Sequence, residues 1–439
     1  MSSLIQPRTL KGFRDYLPET MMPREAIIDT AKRVYRSFGY APIDTPALEY
    51  LEILTGKGSA ETDKQLFHFV DQGNREVGMR FDLTVPLARF VAQYAGQLTF
   101  PFKRYHIAPV WRGEKPQVGR YREFMQCDFD TVGSTAVAAD IETVLVVHEL
   151  LRALGFERFT IRLNNRAVLN GLLEKAGLAE QAVAVLRALD KLTKIGPEKV
   201  AAELQQTAAA STEQANEILQ LVQLAGDNDA VLRQIDTLVA GNETGEAGAE
   251  RLREIVTNAT AVGVATENLK LDVSIARGLD YYTGVVLETT LDDLPGIGSI
   301  ASGGRYDNLA GLYTKQPLPG IGASLGLDRL LAAMEQLNVL PGVKTPAPVF
   351  IAYFVASRLG EYLQLASAVR SAGIGAELFP EPKKLGKQLQ YAAKRGFQLA
   401  LIAGEDELAA GECQIKTLAD GSSVTVPLAE VPIKTQQLL

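Results

Sequence analysis

Residues that bind metals or form disulfides are scarce in this 439-residue chain: two cysteines, Cys127 and Cys413, and three histidines, His68, His106 and His148. Two distant cysteines exclude a disulfide framework and suit a reducing, cytoplasmic setting. The histidines lack ligand spacing, so no metal site is expected. Long apolar runs are missing too. None approaches the roughly 18 residues that span a bilayer, and the N-terminus has no hydrophobic signal region, so no membrane partner is expected. Positive charge is in deficit, with a net charge of −7. That excludes a globally basic surface but leaves room for a local stripe that holds nucleic acid. There is no P-loop and no Ser/His/Asp or Cys/His constellation, so no covalent nucleophile is expected.

What is present fits a soluble protein of two or three domains, 46% hydrophobic and 22% charged. A loop through Leu10–Pro18 precedes a helix near Arg24 to Phe38. Gly39 to Pro42 breaks that helix, and the segment IDTPALE gives a short strand with Pro46 inside it. Proline within a strand predicts an edge or an interface. From Arg80 to Gly133 the pattern is mostly strands. KRYHIAPVWRGE and GRYREFMQCDFD form a hairpin with a long basic tip. In the second strand the period is two. Arg120, Arg122, Phe124, Gln126, Asp128 and Asp130 share one face, and Tyr121, Met125, Cys127 and Phe129 the other.

Residues from about Ala167 to Asn268 are rich in Ala, Leu, Gln and Glu at helical spacing, which predicts an inserted helical module interrupted near Gly241 to Gly248. Strands return at LKLDVSIARG, where Leu269, Leu271, Val273 and Ile275 alternate with polar residues, and continue through VVLETTL and SIASGGRYDNLAG. In GIGASLGLDRLLAAMEQL, glycines 320, 322 and 326 allow a close approach of ligand or backbone, and a helix follows. After a linker from Pro341 to Pro348, strands and helices alternate as a small βαβαβ domain with a mostly parallel sheet. It carries Lys383, Lys384, Lys387, Lys394 and Arg395, a positive cluster suited to a phosphate backbone.

Two stretches hold most of the chemistry-bearing residues. WRGEKPQVGRYREFMQCDFD runs from Trp111 to Asp130, and RGLDYYTG from Arg277 to Gly284. Together they bring arginines for phosphates, carboxylates for an ammonium and aromatics for a base, the equipment for holding a triphosphate beside a small zwitterion. Such a site works by positioning and charge stabilisation.

These motifs, with GFRDYLP, IDTPALE, ASGGRYD and GASLGLDRL, stand in the order found in the class II aminoacyl-tRNA synthetases. Within that class the chain resembles the histidyl-tRNA synthetase family, from end to end. The resemblance implies an α+β catalytic domain on an antiparallel sheet, in two parts (1–166 and 269–338), with a helical insertion (167–268) between them. A C-terminal α/β anticodon-binding domain (347–439) follows. It implies a histidine–tRNA ligase that forms histidyl-adenylate from histidine and ATP with Mg2+, then acylates its cognate tRNA. The expected assembly is a homodimer, with Pro46 and the IDTPALE segment at the interface.

The resemblance also assigns roles. Arg112 and Arg277 are the catalytic cations on the α-phosphate. Arg112, Glu114, Phe124 and Arg329 hold ATP, with Phe124 stacked on adenine. Asp82, Thr84 and Gln126 meet the histidine ammonium. Asp130 and Tyr282 read the imidazole, Arg277 adds a further contact, and Gln117 approaches the tRNA acceptor end. Trp111 departs from the pattern, since a smaller aromatic commonly precedes that arginine. Two other readings are a non-catalytic synthetase-like regulatory subunit of histidine biosynthesis and another class II synthetase. Arg112, Arg277, Arg329 and the terminal domain argue against the first, RGLDYYTG and ASGGRYD against the second.

Overall fold

The computed structural model describes residues 4–55, 63–189, 191–275, 281–340 and 344–439. The chain divides into two compact units, Met1–Arg14 with Ala26–Val339, and Asp15–Glu25 with Leu340–Leu439.

The larger unit is built on strands β1 (Ala41–Pro42), β2 (Leu48–Tyr50), β3 (His68–Val70), β4 (Glu76–Met79), β5 (Phe102–Trp111), β6 (Glu123–Val132), β7 (Phe159–Asn165), β8 (Leu269–Leu271), β9 (Val285–Leu291), β10 (Ala301–Arg305) and β11 (Gly320–Gly326). Eight of these form one sheet in the order β1-β5-β6-β11-β10-β9-β7-β8. Its inner pairings are antiparallel, and only the outermost, β1 with β5 and β7 with β8, are parallel. Strands β2, β4 and β3 make a second, three-stranded sheet.

The first long helix runs Pro18–Ser37, earlier than its sequence pattern suggested, because proline is well tolerated in a first helical turn. Ile27, Ala31, Val34 and Tyr35 are buried at helical spacing, and the Tyr35 hydroxyl donates to the Cys127 carbonyl at 2.9 Å. Both cysteines are buried thiols.

Three other local expectations need correction. Pro46 is not in a strand: residues 43–47 are irregular and join β1 to β2. Strand β8 stops at Leu271, because Asp272 turns the chain by accepting from the Ser274 N–H at 3.0 Å. The glycines after 241 do not interrupt the helical module. Gly245 and Gly248 lie inside a helix, Glu243–Ala261, capped by Asn242. A Cβ at Gly171 would come within 2.5 Å of Gly245, so these glycines set how closely Arg166–Lys175 and Glu243–Ala261 pack.

The last helix of the module is tied to the sheet unit by charge. Arg251 pairs with the fully buried Asp140, whose Oδ1 also receives Arg305 Nη2 at 2.6 Å and Nε at 3.0 Å. Arg305 continues to Asp307 at 3.1 Å, and Asp307 accepts from the Thr283 hydroxyl at 2.9 Å.

The smaller unit holds β12 (Val349–Ile351), β13 (Ala376–Leu378), β14 (Leu399–Ile402), β15 (Glu412–Thr417) and β16 (Ser423–Pro427), ordered β13-β12-β14-β15-β16. The first three are parallel, with helices Leu359–Ser371 and Leu385–Arg395 in the crossovers. An antiparallel hairpin, β15–β16, extends the sheet beyond what the sequence pattern suggested. Buried Gln388 fastens the second helix to the sheet, accepting from the Tyr353 N–H and donating to its carbonyl.

Candidate active site

Alternation along β6 sends Cys127 and Phe129 into the core, while Gln126, Asp128 and Asp130 line a hollow on the other face. Strand register extends that polar face sideways. His106 lies opposite Asp128, Asp128 opposite Ser324, Ser324 opposite Ser302, and Ser302 opposite Glu288. A polar row thus crosses five strands. The adjacent row is Arg104, Asp130, Gly322 and Gly304. Its glycines make depth: a Cβ at Gly322 would sit 2.2 Å from Asp130 Oδ1.

The first hollow encloses about 210 Å3, with Asp82, Thr84, Gln126, Asp128, Asp130, Tyr281, Tyr282 and Tyr306 among its walls. Asp82 caps the helix Thr84–Gln93, its Oδ1 accepting from the N–H of Thr84 at 3.1 Å and of Val85 at 2.9 Å. Its other oxygen takes the Tyr281 hydroxyl at 3.3 Å. Asp130 is held from two sides. The Tyr306 hydroxyl donates to Oδ1 at 2.5 Å, and Arg104 Nη2 lies 2.7 Å from Oδ2 as an ion pair rather than a well-aimed hydrogen bond. Burial raises the proton affinity of Asp82 and Asp130 above the usual carboxylate range. It pushes Asp128 up to about 7, against the pull of Arg104 and Ser324 and with help from Asp130 and Asp82. The hydroxyls of Tyr281, Tyr282 and Tyr306 are likewise held protonated by burial.

A second hollow, about 230 Å3, has Arg112, Glu114, Arg120, Tyr121, Phe124 and Arg329 among its walls. Arg112, Gln126, Ser302 and Ser324 line both hollows, so the two meet at these four residues. Arg112 is fixed there. Its Nε donates to the Phe81 carbonyl at 3.1 Å, and its guanidinium lies 4.3 Å from the Phe81 ring centre and 5.1 Å from that of Phe124. Arg329 donates to the Ser299 carbonyl. Burial, with Arg120 and Arg112 nearby, lowers its pKa to about 10, while Glu114 and Glu288 oppose this. Three neighbouring guanidinium groups, Arg112, Arg120 and Arg329, equip this hollow to hold an anion.

All the sequence-assigned residues that can be placed fall on these two hollows except Gln117, which is exposed at the tip between β5 and β6. There its backbone exchanges 3.0 Å hydrogen bonds with Arg120. Arg277 lies outside the described residues. Sequence reasoning passed over Arg104, Tyr281, Tyr306, Glu288, Ser302 and Ser324. Glu288, Ser302 and Ser324 share a face with Asp128 only through register, and Arg104 sits where β5 is buried on both faces, in the run Arg104, Tyr105 and His106.

The sequence profile described as Histidyl-tRNA synthetase matches residues 12–330, and one described as Anticodon binding domain matches residues 348–438. A Histidine–tRNA ligase of Rhodopirellula baltica is 63% identical over 423 residues, 96% of each chain. One of Wolinella succinogenes is 45% identical over 95% of each. The crystal structure of histidyl-tRNA synthetase from Nostoc sp. PCC 7120 superposes with a TM-score of 0.89 at 34% identity, covering 99% of this chain and 100% of that one.

Proposed function

This chain belongs to the histidyl-tRNA synthetase family, and from that premise we propose which hollow takes which substrate. The enzyme is a histidine–tRNA ligase that uses ATP. The observation that carries the assignment is the junction of the two hollows at Arg112, Gln126, Ser302 and Ser324. Histidine fills the first hollow and ATP the second, so the amino-acid carboxylate and the α-phosphate meet at Arg112.

The imidazole falls to Asp130 and Tyr282, and the ammonium to Gln126, Thr84 and Asp82. Phe124 stacks on adenine, and Arg329 takes the far end of the triphosphate. Glu114 and Glu288, both close enough to Arg329 to raise its pKa, would be the hard oxygen donors for a magnesium ion, which would offset charge on the triphosphate. A carboxylate oxygen of histidine bonds to the α-phosphorus as the bond to pyrophosphate breaks. Arg112, clamped between Phe81 and Phe124, balances the charge that builds on the phosphoryl oxygens. Arg277 supplies a second cation on this reading. A terminal ribose hydroxyl of the tRNA then attacks the acyl carbon and AMP departs, with Gln117 near the acceptor end.

Residues 1–166 and 269–338 are the parts of the catalytic domain, 167–268 the insertion, and 347–439 the anticodon-binding domain, where Lys384, Lys387 and Lys394 face phosphates. The protein works in the cytoplasm as a homodimer. In support of the dimer, Leu48, Tyr50, Phe69 and Val70 on the three-stranded sheet are exposed, and Pro46, Leu48 and Tyr50 line an open groove of about 930 Å3. Sedimentation is expected to give twice the 47.5 kDa chain mass; a fully active monomer would refute the dimer.

Pyrophosphate exchange with a panel of amino acids, followed by charging of histidine tRNA, tests the substrate assignment. Exchange stimulated by histidine alone is expected. Exchange with proline, threonine or glycine, or with none, would overturn it.

A further inference from the structure

The first hollow holds three carboxylates, and their hydrogen-bonding capacity is spent unequally. Asp82 uses Oδ1 on two backbone N–H groups and Oδ2 on the Tyr281 hydroxyl. Asp130 uses Oδ1 on the Tyr306 hydroxyl, and its Oδ2, although without a hydrogen-bond partner among the described residues, is neutralised by Arg104 at 2.7 Å. Asp128 is different. Its Oδ2 lies 4.0 Å from Arg104 Nη2, and its Oδ1 has no partner among the described residues, although the side chain is only 4% exposed.

Two residues along the same face, buried Gln126 donates its amide to Ser324 Oγ at 2.9 Å, and its Oε1 is also without a partner among the described residues. Ser324 is the cross-strand neighbour of Asp128, so its hydroxyl ties the two side chains together. Two acceptor atoms, Asp128 Oδ1 and Gln126 Oε1, therefore line one side of the hollow without a donor of their own among the described residues. Leaving buried acceptors unmet is costly. Their complement is a cation with several N–H bonds.

Resting on the reading of this hollow as the histidine site, we propose that Asp128 binds the substrate directly, its Oδ1 and Gln126 Oε1 together receiving the α-ammonium. This goes beyond the assignment of the ammonium to Asp82, Thr84 and Gln126, because Asp82 is largely occupied in holding its helix and Tyr281. An ammonium has three donors and a full charge, and so answers both acceptors. A neutral imidazole has a single N–H and leaves one acceptor unmet.

Charge logic agrees. The groups facing Asp128 are Arg104 and His106 on β5, with buried Arg80 beside them, Gln126 and Asp130 on β6, Ser324 on β11, and Asp82 and Tyr282 from the loops. Two further acids and one fully buried arginine leave Asp128 hard to ionise until another cation arrives. Ammonium binding should therefore favour the ionised form, and the affinity should fall on acidification through about 7.

Calorimetry with three probes tests the proposal in wild type and Asp128→Asn: histidine, histidinol, which keeps the ammonium but lacks the carboxylate, and imidazole-propionate, which lacks the ammonium. The asparagine variant should bind histidine and histidinol about tenfold more weakly or worse. It should bind imidazole-propionate within about twofold of wild type, keep its KM for ATP, and lose the acid-side decline with histidinol. Asp128→Ser is the second variant, carried through the same probes should Asp128→Asn not fold. Unchanged affinity for histidine, or an equal loss for all three probes, overturns the proposal. A wild type that activates no histidine refutes the function reading instead, so the two failures are told apart.

Discussion

Arg104 and Asp130 face each other across the β5–β6 ladder, Nη2 to Oδ2 at 2.7 Å, both almost completely shielded from solvent. This pair fixes where the Asp130 carboxyl stands. Its carboxyl is fixed by Arg104 below and Tyr306 beside it, on a wall of the hollow rather than at a solvated strand end. Asp130→Asn preserves shape but replaces an anionic acceptor with an amide. The KM for histidine is expected to rise about tenfold or more, in line with roughly 1.5–3 kcal/mol for a hydrogen bond to a charged group. The KM for ATP should hardly move. If the two constants shift together in steady-state exchange assays, Asp130 does not read the side chain.

Gly322 should be irreplaceable for a steric reason. An added Cβ would lie 2.2 Å from Asp130 Oδ1 and 2.3 Å from the Phe129 carbonyl oxygen. Gly322→Ala must push the carboxyl or the strand aside, so histidine affinity is expected to collapse. Gly360→Ala, at a position with nothing within 4 Å, is the neutral control. Comparable histidine KM values in the two variants would show that the pocket yields more readily than close packing implies.

Asp140 sits between two arginines from different parts of the larger unit, Arg305 on β10 and Arg251 on the last insertion helix. Asp140→Ala leaves Arg305, only 4% exposed, without its main counter-charge. A loss of about 3–5 kcal/mol in denaturant unfolding is expected, the usual consequence of stranding one partner of a buried pair. Because Arg305 leads through Asp307 to Thr283, just past Tyr282, histidine binding should weaken along with stability. A loss below about 1 kcal/mol would mean that Arg305 finds other partners.

His106 gives the acid limb of stability. Burial, together with Arg104 and Arg80, lowers its pKa from 6.5 to about 4, although Asp44 hydrogen-bonds it at 2.9 Å. The unfolded chain therefore takes up a proton near 6.5 that the folded chain refuses until about 4, so stability falls as pH drops through that window. The full effect is about 3 kcal/mol at 1.36 kcal/mol per unit. Asp128 acts in the opposite sense, its raised pKa favouring the folded state toward low pH. His106→Gln keeps Asp128, so the stability gap between wild type and variant isolates the histidine. That gap should shift against the wild type from pH 7 to 4.5, and a constant gap would contradict it.

The polar face of β6 was legible in the sequence because a strand buried on one side and polar on the other writes its period directly. The helix Leu327–Leu337 and the glycine-rich strand before it were legible for a similar reason. Arg104 was not. In β5 its neighbours Tyr105 and His106 are buried as well, so no alternation marks it. Tyr306, Ser302 and Glu288 belong to the pocket only because β9, β10 and β11 pair in one register, and pairing between distant segments has no local signature. Pro46 was misplaced for the converse reason: a proline and a short apolar run resemble an edge strand whether or not one forms. The glycines at 245 and 248 looked like a break, yet mark a helix–helix contact.

The position of β6 in the large sheet bears on how the protein is made. Both long edges of β6 are paired in the finished molecule, to β5 on one side and β11 on the other. During translation β5 and β6 emerge together, whereas β11 follows only after the chain has run from Val132 to Gly320. At about 5–20 residues per second that wait is on the order of 10–40 s. Throughout it, one edge of β6 lies open to any passing strand. Asp128 and Asp130 project from that strand with Arg104 of β5 as their near counter-charge, so a foreign partner would have to bury an excess negative charge, which would discourage mispairing on the ribosome. The acids that later line the substrate hollow thus protect the nascent sheet before there is any hollow to line.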